Sequence, residues 1–167
     1  MMKEKSIKFV VFLLSLFFIA TVTQAKDKEN ENQLNYDIMC GGSGSQGFYI
    51  VKVSAYVDKS SQIGEDIVRK CAVHGVLFRG FSGEQGCTSQ RSLAGSALVE
   101  QQHADFFTAF FVKGGRYASY ASMVTGSLQT ERSGKKYKVT AIVSVAKDQL
   151  RKDLEQAGVI KGLSNGF

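Results

Sequence analysis

Two stretches of the sequence alternate between apolar and polar side chains, and this period of two constrains the fold more than any other feature. It runs through residues 48–57 and again through residues 135–145. Successive side chains of a β-strand point to opposite faces, so each stretch is predicted to be a strand with one buried face. The predicted buried positions are Tyr49, Val51, Val53, Ala55 and Val57 in the first strand and Tyr137, Val139, Ala141, Val143 and Val145 in the second.

Three other segments carry apolar residues at the helical spacing of three and four, and a glycine follows each of them. Glycine is common after the last turn of a helix because it adopts the left-handed backbone conformation at little cost. We therefore predict helices over residues 62–78, 98–113 and 147–157. Leu150 and Leu154 share one face of the last helix.

The remaining ordered segments are predicted to be extended. Residues 34–40 suit a short strand, and residues 116–125 and 127–132 suit extended chain. The order β–α–α–β–β–α favours an α+β fold, an antiparallel sheet of three to four strands with two to three helices packed on one face. We expect a single domain over residues 34–167, whose length suits one hydrophobic core. The uncovered sheet face is predicted to be partly polar.

The N-terminus has the three parts of a secretory signal peptide. Three lysines precede an apolar run over residues 9–20, which is too short for a comfortable membrane span. Small residues follow, and we predict cleavage after Ala25, so that residues 1–25 are removed. An uncleaved N-terminal anchor is the alternative. After cleavage no transmembrane segment is expected.

Residues 26–33 contain no apolar side chain and are predicted to be a disordered leader. Export gives the protein a periplasmic or secreted location. The formal net charge of +6 is modest, with both signs interspersed. An exported protein rarely meets nucleic acid, so nucleic-acid binding is not expected.

Export also places Cys40, Cys71 and Cys87 in an oxidising compartment. One disulfide and one remaining thiol are expected, and the sequence leaves all three pairings open. Cys71 lies in the apolar stripe of the first predicted helix, where it suits a small buried side chain. If a pair forms, we favour Cys40 with Cys87.

Residues 42–47 match the pattern G-x-G-x-x-G of nucleotide-binding loops. In such loops a helix begins directly after the glycines, and its N-terminus holds the pyrophosphate. Here a predicted strand follows instead. The segment is therefore interpreted as a flexible hairpin loop.

Four side chains could form a tetrahedral zinc set, Cys71, His74, Cys87 and His103. Their spacing matches no zinc module, and exported cysteines favour disulfides. Cys71 and His74 could also form a nucleophile pair, but this requires an exposed thiolate. We therefore predict no metal site, no cofactor and no catalytic residue.

Arg116, Tyr117 and Tyr120 combine a cation with two aromatic rings directly after a pair of glycines. Such a group can contact a ligand or a partner, and the three residues are our candidates for that role. Packing at the start of a strand is the interpretation that we favour for them.

Several of these segments together resemble a known family. They are residues 72–80, Arg116-Tyr117-x-x-Tyr120, residues 134–141, and the helix with Leu150 and Leu154. The arrangement is similar to the N-terminal domain of the periplasmic flagellar assembly protein T and to related small outer-membrane lipoproteins. It also resembles a group of exported proteins of Gram-negative bacteria. The resemblance covers roughly residues 48–154. It implies a compact α+β module that serves as a structural or interaction part of the cell envelope, without enzymatic residues.

The sequence thus predicts a non-catalytic exported module, periplasmic or envelope-associated, with an interaction or structural role. The expected partner is an envelope protein, peptidoglycan or an outer-membrane component. The alternative is a small-ligand-binding periplasmic domain that uses the gap between helices and sheet, with Arg116, Tyr117 and Tyr120 at its mouth. An enzyme ranks behind both.

Overall fold

The computed structural model describes residues 34–83 and 86–162. The signal peptide expected over residues 1–25 and the leader expected over residues 26–33 lie outside the described residues, so both stay predictions. The described residues from Asn35 onward belong to a single unit.

The strands and helices follow one another in the order β–β–α–α–α–β–β–β–α. The strands are β1 (Tyr36–Gly42), β2 (Tyr49–Val57), β3 (Ala121–Met123), β4 (Gln129–Ser133) and β5 (Lys136–Val145). The α-helices are α1 (Glu65–His74), α2 (Leu98–Gln102), α3 (Ala104–Phe110) and α4 (Lys147–Gln156). Within residues 34–83 and 86–162, no helix is long and apolar enough to cross a membrane.

The strands form one antiparallel sheet in the order β1-β2-β5-β3, and β4 also pairs with β5. The predicted α+β fold is confirmed. The sheet has five strands where three to four were predicted. The difference arises because two short strands share one edge of β5, with β3 beside residues 143–145 and β4 beside residues 136–140.

The central strands β2 and β5 confirm the alternation seen in the sequence. Val51, Val53 and Ala55 lie opposite Val143, Ala141 and Val139, and these six side chains are at most 1% exposed. Helix α1 packs on the same face and buries four side chains of its own, Val68, Cys71, Ala72 and Val73. Fully burying an aliphatic side chain is worth about 1.5–3 kcal/mol, so this layer is the main source of stability.

The first helix lies close to its predicted span of residues 62–78, but its ends differ. A 3-10 turn at Ser60–Gln62 precedes α1, and a π-helix at Gly75–Arg79 continues it. Gly80 ends the helix with φ 70°, and its N–H donates to the Gly75 carbonyl at 2.8 Å. A side chain at Gly80 would collide with the Gln90 carbonyl, so this position requires glycine for two reasons.

The helix predicted over residues 98–113 is in fact two helices, α2 and α3. They are separated at His103, whose φ of −119° and ψ of 39° lie outside the helical region. The break allows the two helices to serve different contacts. Helix α2 turns Glu100 toward α1, whereas α3 buries Phe107 and Phe110.

The prediction of extended chain over residues 116–125 is wrong in its first half. Arg116–Tyr120 forms a 3-10 helix, and only Ala121–Met123 is a strand. Side chains three residues apart eclipse each other in a 3-10 helix. Tyr117 and Tyr120 are therefore both directed into the core.

The outer edge of β1 is partly covered by the segment that follows the π-helix. The Cys40 N–H donates to the Ser82 carbonyl at 3.1 Å, and Met39 and Ser82 form a parallel bridge. Phe81 exchanges two backbone hydrogen bonds of 2.9 Å with Gln90. These bonds hold the segment around Gln90 beside the end of β1.

Candidate functional site

His74, at the end of α1, belongs to a network that uses both of its ring nitrogens. The Tyr36 hydroxyl donates to Nδ1 at 2.6 Å, and Nε2 donates to Glu100 Oε1 at 3.1 Å. This pattern corresponds to a neutral imidazole with its proton on Nε2. Burial lowers the pKa of His74 from its ordinary value of 6.5, and the nearby Glu100 carboxylate opposes that shift.

Arg79 completes this network from the π-helix. Its guanidinium lies 4.1 Å from the centre of the Tyr36 ring, and its Nη1 donates to the Tyr36 carbonyl at 3.0 Å. Burial also raises the pKa of the Tyr36 phenol. The network therefore joins β1, α1 and α2 structurally, and both ring nitrogens of His74 are occupied by protein groups.

The three cysteines are engaged or buried. Cys40 and Cys87, the pair favoured from the sequence, form a disulfide with their Cα atoms 6.1 Å apart. Cys71 is fully buried, and burial raises the pKa of its thiol to about 12, so the thiol stays protonated at neutral pH.

The zinc set and the nucleophile pair considered from the sequence do not assemble. The Cys87 sulfur is in the disulfide, and Cys71 has no exposed thiolate to offer. Across residues 34–83 and 86–162, no group of three or more His, Cys, Asp or Glu side chains is arranged to hold a metal ion.

Arg116, Tyr117 and Tyr120 do not form the mouth of a ligand site. Tyr117 is fully buried and its hydroxyl donates to the Asp66 carboxylate, while Tyr120 is 6% exposed and donates to Asp153 Oδ2 at 2.7 Å. Only Arg116 is exposed. The two rings are core side chains because their hydroxyls have internal carboxylate partners. The space between the helices and the sheet is filled by buried apolar side chains.

A cleft of about 550 Å³ lies elsewhere, where the β1–β2 loop meets the disulfide and the start of α4. The loop is the G-x-G-x-x-G segment, residues 42–47, which forms the predicted hairpin connection. We call this site the glycine-loop cleft. Its other walls include Phe48, Tyr49, Phe81, Cys87, Thr88, Gln90, Lys147 and Asp148.

Tyr49 is held from three sides in the glycine-loop cleft. Its hydroxyl donates to Gln90 Oε1 at 2.8 Å, and its ring meets the Phe81 ring edge-on at 5.2 Å. The Lys147 ammonium lies 5.2 Å from the ring centre on another side. These three contacts come from three separate parts of the chain, and together they hold the Tyr49 ring in place on the wall of the cleft.

The charges of the described residues that line the glycine-loop cleft balance each other. Lys147 and Asp148 are the only charged residues among the described ones that line it, and Lys147 Nζ lies 2.6 Å from Asp148 Oδ1. The Asp148 N–H, in the first turn of α4, donates to the Gly47 carbonyl at 3.3 Å. The start of this helix is thus occupied by groups of the protein itself.

Phe48 stands at the rim of the cleft and is 43% exposed. Sequence reasoning identified the loop and the position of Tyr49 but missed Phe81, Gln90 and Lys147 as its neighbours. Those residues lie between 32 and 98 positions from Tyr49 in the chain. The one sequence signal for their approach was the favoured pairing of Cys40 with Cys87, which brings the segment around Gln90 close to the loop.

No protein-family model, curated protein or solved structure matches this chain. The resemblance to the flagellar assembly protein T therefore stays a prediction.

Proposed function

We propose that this chain is a non-catalytic exported interaction module that contacts its partner through the glycine-loop cleft. The observation that carries the proposal is the preformed cleft itself, with Tyr49 fixed by Gln90, Phe81 and Lys147 and with Phe48 exposed at the rim. A concave site with ordered walls and an exposed aromatic side chain is a typical contact surface for a partner.

The way the reactive side chains are used supports a non-catalytic role. His74 is bonded at both nitrogens, the Cys71 thiol is buried and protonated, and the Tyr117 and Tyr120 hydroxyls are bonded to carboxylates. The hydrogen bonds of the histidine and the tyrosines, and the burial of the thiol, stabilise the fold. A catalytic base or nucleophile instead needs a side chain that reaches a substrate.

The disulfide supports the periplasmic or secreted location. Cys40 and Cys87 are joined across a sequence separation of 47 residues, and such bonds persist in oxidising compartments. In this proposal the module acts in the cell envelope, and its partner is an envelope protein, peptidoglycan or an outer-membrane component.

Binding of a small ligand is the second candidate, and the size of the cleft favours it. Small-molecule sites commonly enclose about 300–1,000 Å³, a range that includes the roughly 550 Å³ of this cleft. The site in this alternative is the glycine-loop cleft and not the neighbourhood of Arg116.

Site-specific photo-cross-linking in the producing cells tests the proposed contact surface. A benzophenone amino acid at Phe48, on the rim, is expected to give one discrete adduct after irradiation. The matched control places the same amino acid at Val112, which is 52% exposed and does not line the cleft. Equal labelling at the two positions, or none at Phe48, would contradict the proposal.

A further inference from the structure

We infer that the glycine-loop cleft binds a neutral oligosaccharide. The inference rests on the proposed function, because it names the class of molecule that the same cleft takes. Three properties of the cleft carry it: an aromatic ring exposed at the rim, neutral hydrogen-bonding side chains on the walls, and balanced charge among the described residues that line it.

The aromatic rim suits the apolar face of a sugar ring. Phe48 is 43% exposed, and Tyr49 and Phe81 continue the aromatic surface into the cleft. The C–H groups on one face of a pyranose carry slight positive charge, and the face of an aromatic ring carries slight negative charge. Stacking a sugar on Phe48 removes exposed apolar surface of both partners from water.

The wall supplies groups that match sugar hydroxyls. Ser43, Ser45, Gln46 and Thr88 all line the cleft, and their hydroxyl or amide groups both donate and accept hydrogen bonds, as sugar hydroxyls do. Gln90 also lines the cleft. Its Oε1 accepts from Tyr49, and its Nε2 reaches the Thr88 carbonyl only at 3.5 Å, which leaves an N–H for a ligand oxygen.

The charges disfavour an anionic ligand. Lys147 already has the Asp148 carboxylate as an ion-pair partner at 2.6 Å, and that carboxylate stands at the positive end of α4, where an anion would otherwise bind. A phosphate or an acidic peptide entering the cleft would meet the Asp148 carboxylate.

The backbone disfavours an extended peptide. A peptide that adds a strand needs unpaired N–H and C=O groups on a sheet edge. Beside the cleft that edge belongs to β1, and the Cys40 N–H already donates to the Ser82 carbonyl. Recognition at this site therefore rests on side chains, which suits a sugar better than a peptide backbone.

Titration followed by nuclear magnetic resonance tests this inference. The full chain, ¹⁵N-labelled and with its disulfide intact, is titrated separately with N,N′,N″-triacetylchitotriose, cellotriose and maltotriose. We expect at least one trisaccharide to shift the amide signals of residues 43–49 and 87–90 selectively. Its Kd should change less than about twofold between about 50 and 500 mM salt, because no net charge is paired on binding.

Three variants connect binding to the cleft. Phe48→Ala should raise the Kd at least about tenfold. Phe48→Tyr should keep a Kd close to that of the wild type because the aromatic ring is retained. Leu98→Ala changes a side chain that is 60% exposed and lies outside the cleft, so it should leave the Kd unchanged. The spectrum of each variant reports directly whether it has folded.

Two outcomes would overturn the inference: no selective shift with any of the three trisaccharides, or the same shifts produced by inorganic phosphate with an affinity that falls as salt rises. Its failure is distinguishable from failure of the proposed function. A protein adduct cross-linked at Phe48, together with no response to sugars, overturns the sugar inference and leaves the interaction surface standing.

Discussion

His74 shows at the scale of a single residue how tightly a polar side chain is built into this fold. Besides its bonds to Tyr36 and Glu100, its ring packs against Phe78 and Phe111, with centroid distances of 5.0 and 5.6 Å. The charged groups that face it are the Glu100 carboxylate and the Arg79 guanidinium. Only the carboxylate favours protonation of the imidazole, and burial outweighs it.

We predict that His74 makes the stability of the protein dependent on pH. Its pKa in the folded state is lowered from 6.5, so the unfolded chain binds the proton more tightly. The free energy of unfolding should therefore decrease as the pH falls from 6.5 toward the lowered pKa. Well above pH 6.5 the imidazole is neutral in both the folded and the unfolded state, and the protein keeps its full stability with respect to this group. The measurement is urea unfolding of the wild type and of His74→Gln between about pH 5 and pH 7.5. Both proteins share the carboxylates that also titrate at acidic pH, so the difference between their stability curves reports His74. Parallel curves for the two proteins would show that His74 is not the source.

At the scale of elements, the 3-10 helix Arg116–Tyr120 joins two helices through its tyrosines. The Tyr117 hydroxyl bonds to Asp66 in the first turn of α1, and the Tyr120 hydroxyl bonds to Asp153 in α4. Burial and the bonded carboxylate raise the pKa of both phenols. This short helix therefore links α1 to α4.

We predict that Tyr117→Phe and Tyr120→Phe each lower the free energy of unfolding by about 1.5–3 kcal/mol, the usual worth of a hydrogen bond to a charged group. Thermal or urea unfolding measures the loss. Tyr56→Phe is the matched control, since its hydroxyl bonds to Asp37 at 2.9 Å on the exposed side of the sheet. Its loss should stay within about 0.5 kcal/mol. An equal decrease in the free energy of unfolding in all three variants would mean that burial does not determine how much these hydrogen bonds contribute to stability.

Elements whose signal is local were predictable from the sequence, and those that depend on distant contacts were not. The structure confirms the alternation predicted for β2 and β5, and it confirms that Leu150 and Leu154 share the buried face of α4. Each pattern was recognisable because a single buried face of the element determines it. The break at His103 and the 3-10 helix at Arg116–Tyr120 depend on Glu100 reaching α1 and on two carboxylates from separate helices. Such partners lie too far along the chain for periodicity to reveal them.

At the scale of the whole molecule, we predict that the Cys40–Cys87 disulfide contributes about 2–4 kcal/mol to stability. It closes a loop with a sequence separation of 47 residues, which restricts the unfolded chain strongly. The double variant Cys40→Ala/Cys87→Ala should therefore unfold at lower urea concentration than the oxidised wild type. Reductant should destabilise the wild type to a similar extent and leave the double variant unchanged. A loss below about 1 kcal/mol would show that the loop is already held by its other contacts.

The candidate site could be predicted only in part, because the glycine-loop cleft is assembled from the whole chain. Residues 42–47 and Tyr49 were visible in the sequence as a loop and a strand end. Gln90 and Lys147 approach them through the disulfide-linked segment and the start of α4. Conversely, Tyr117 and Tyr120 were candidates for contact with a ligand or partner because two aromatic rings stand beside Arg116 in the sequence. Both are core residues, since their hydroxyls donate to carboxylates of the protein itself.

The segment that lies along β1 also reduces the backbone surface that a second copy of the chain could pair with. With the disulfide formed, Ser82 occupies the Cys40 N–H on the outer edge of the sheet. An uncovered edge strand offers its backbone groups to any other extended chain, which is how folded proteins begin to aggregate. A molecule whose Cys40 and Cys87 are reduced lacks the covalent link that holds the covering segment beside that edge. Forming the disulfide is therefore expected to lower the tendency of the chain to aggregate through this edge.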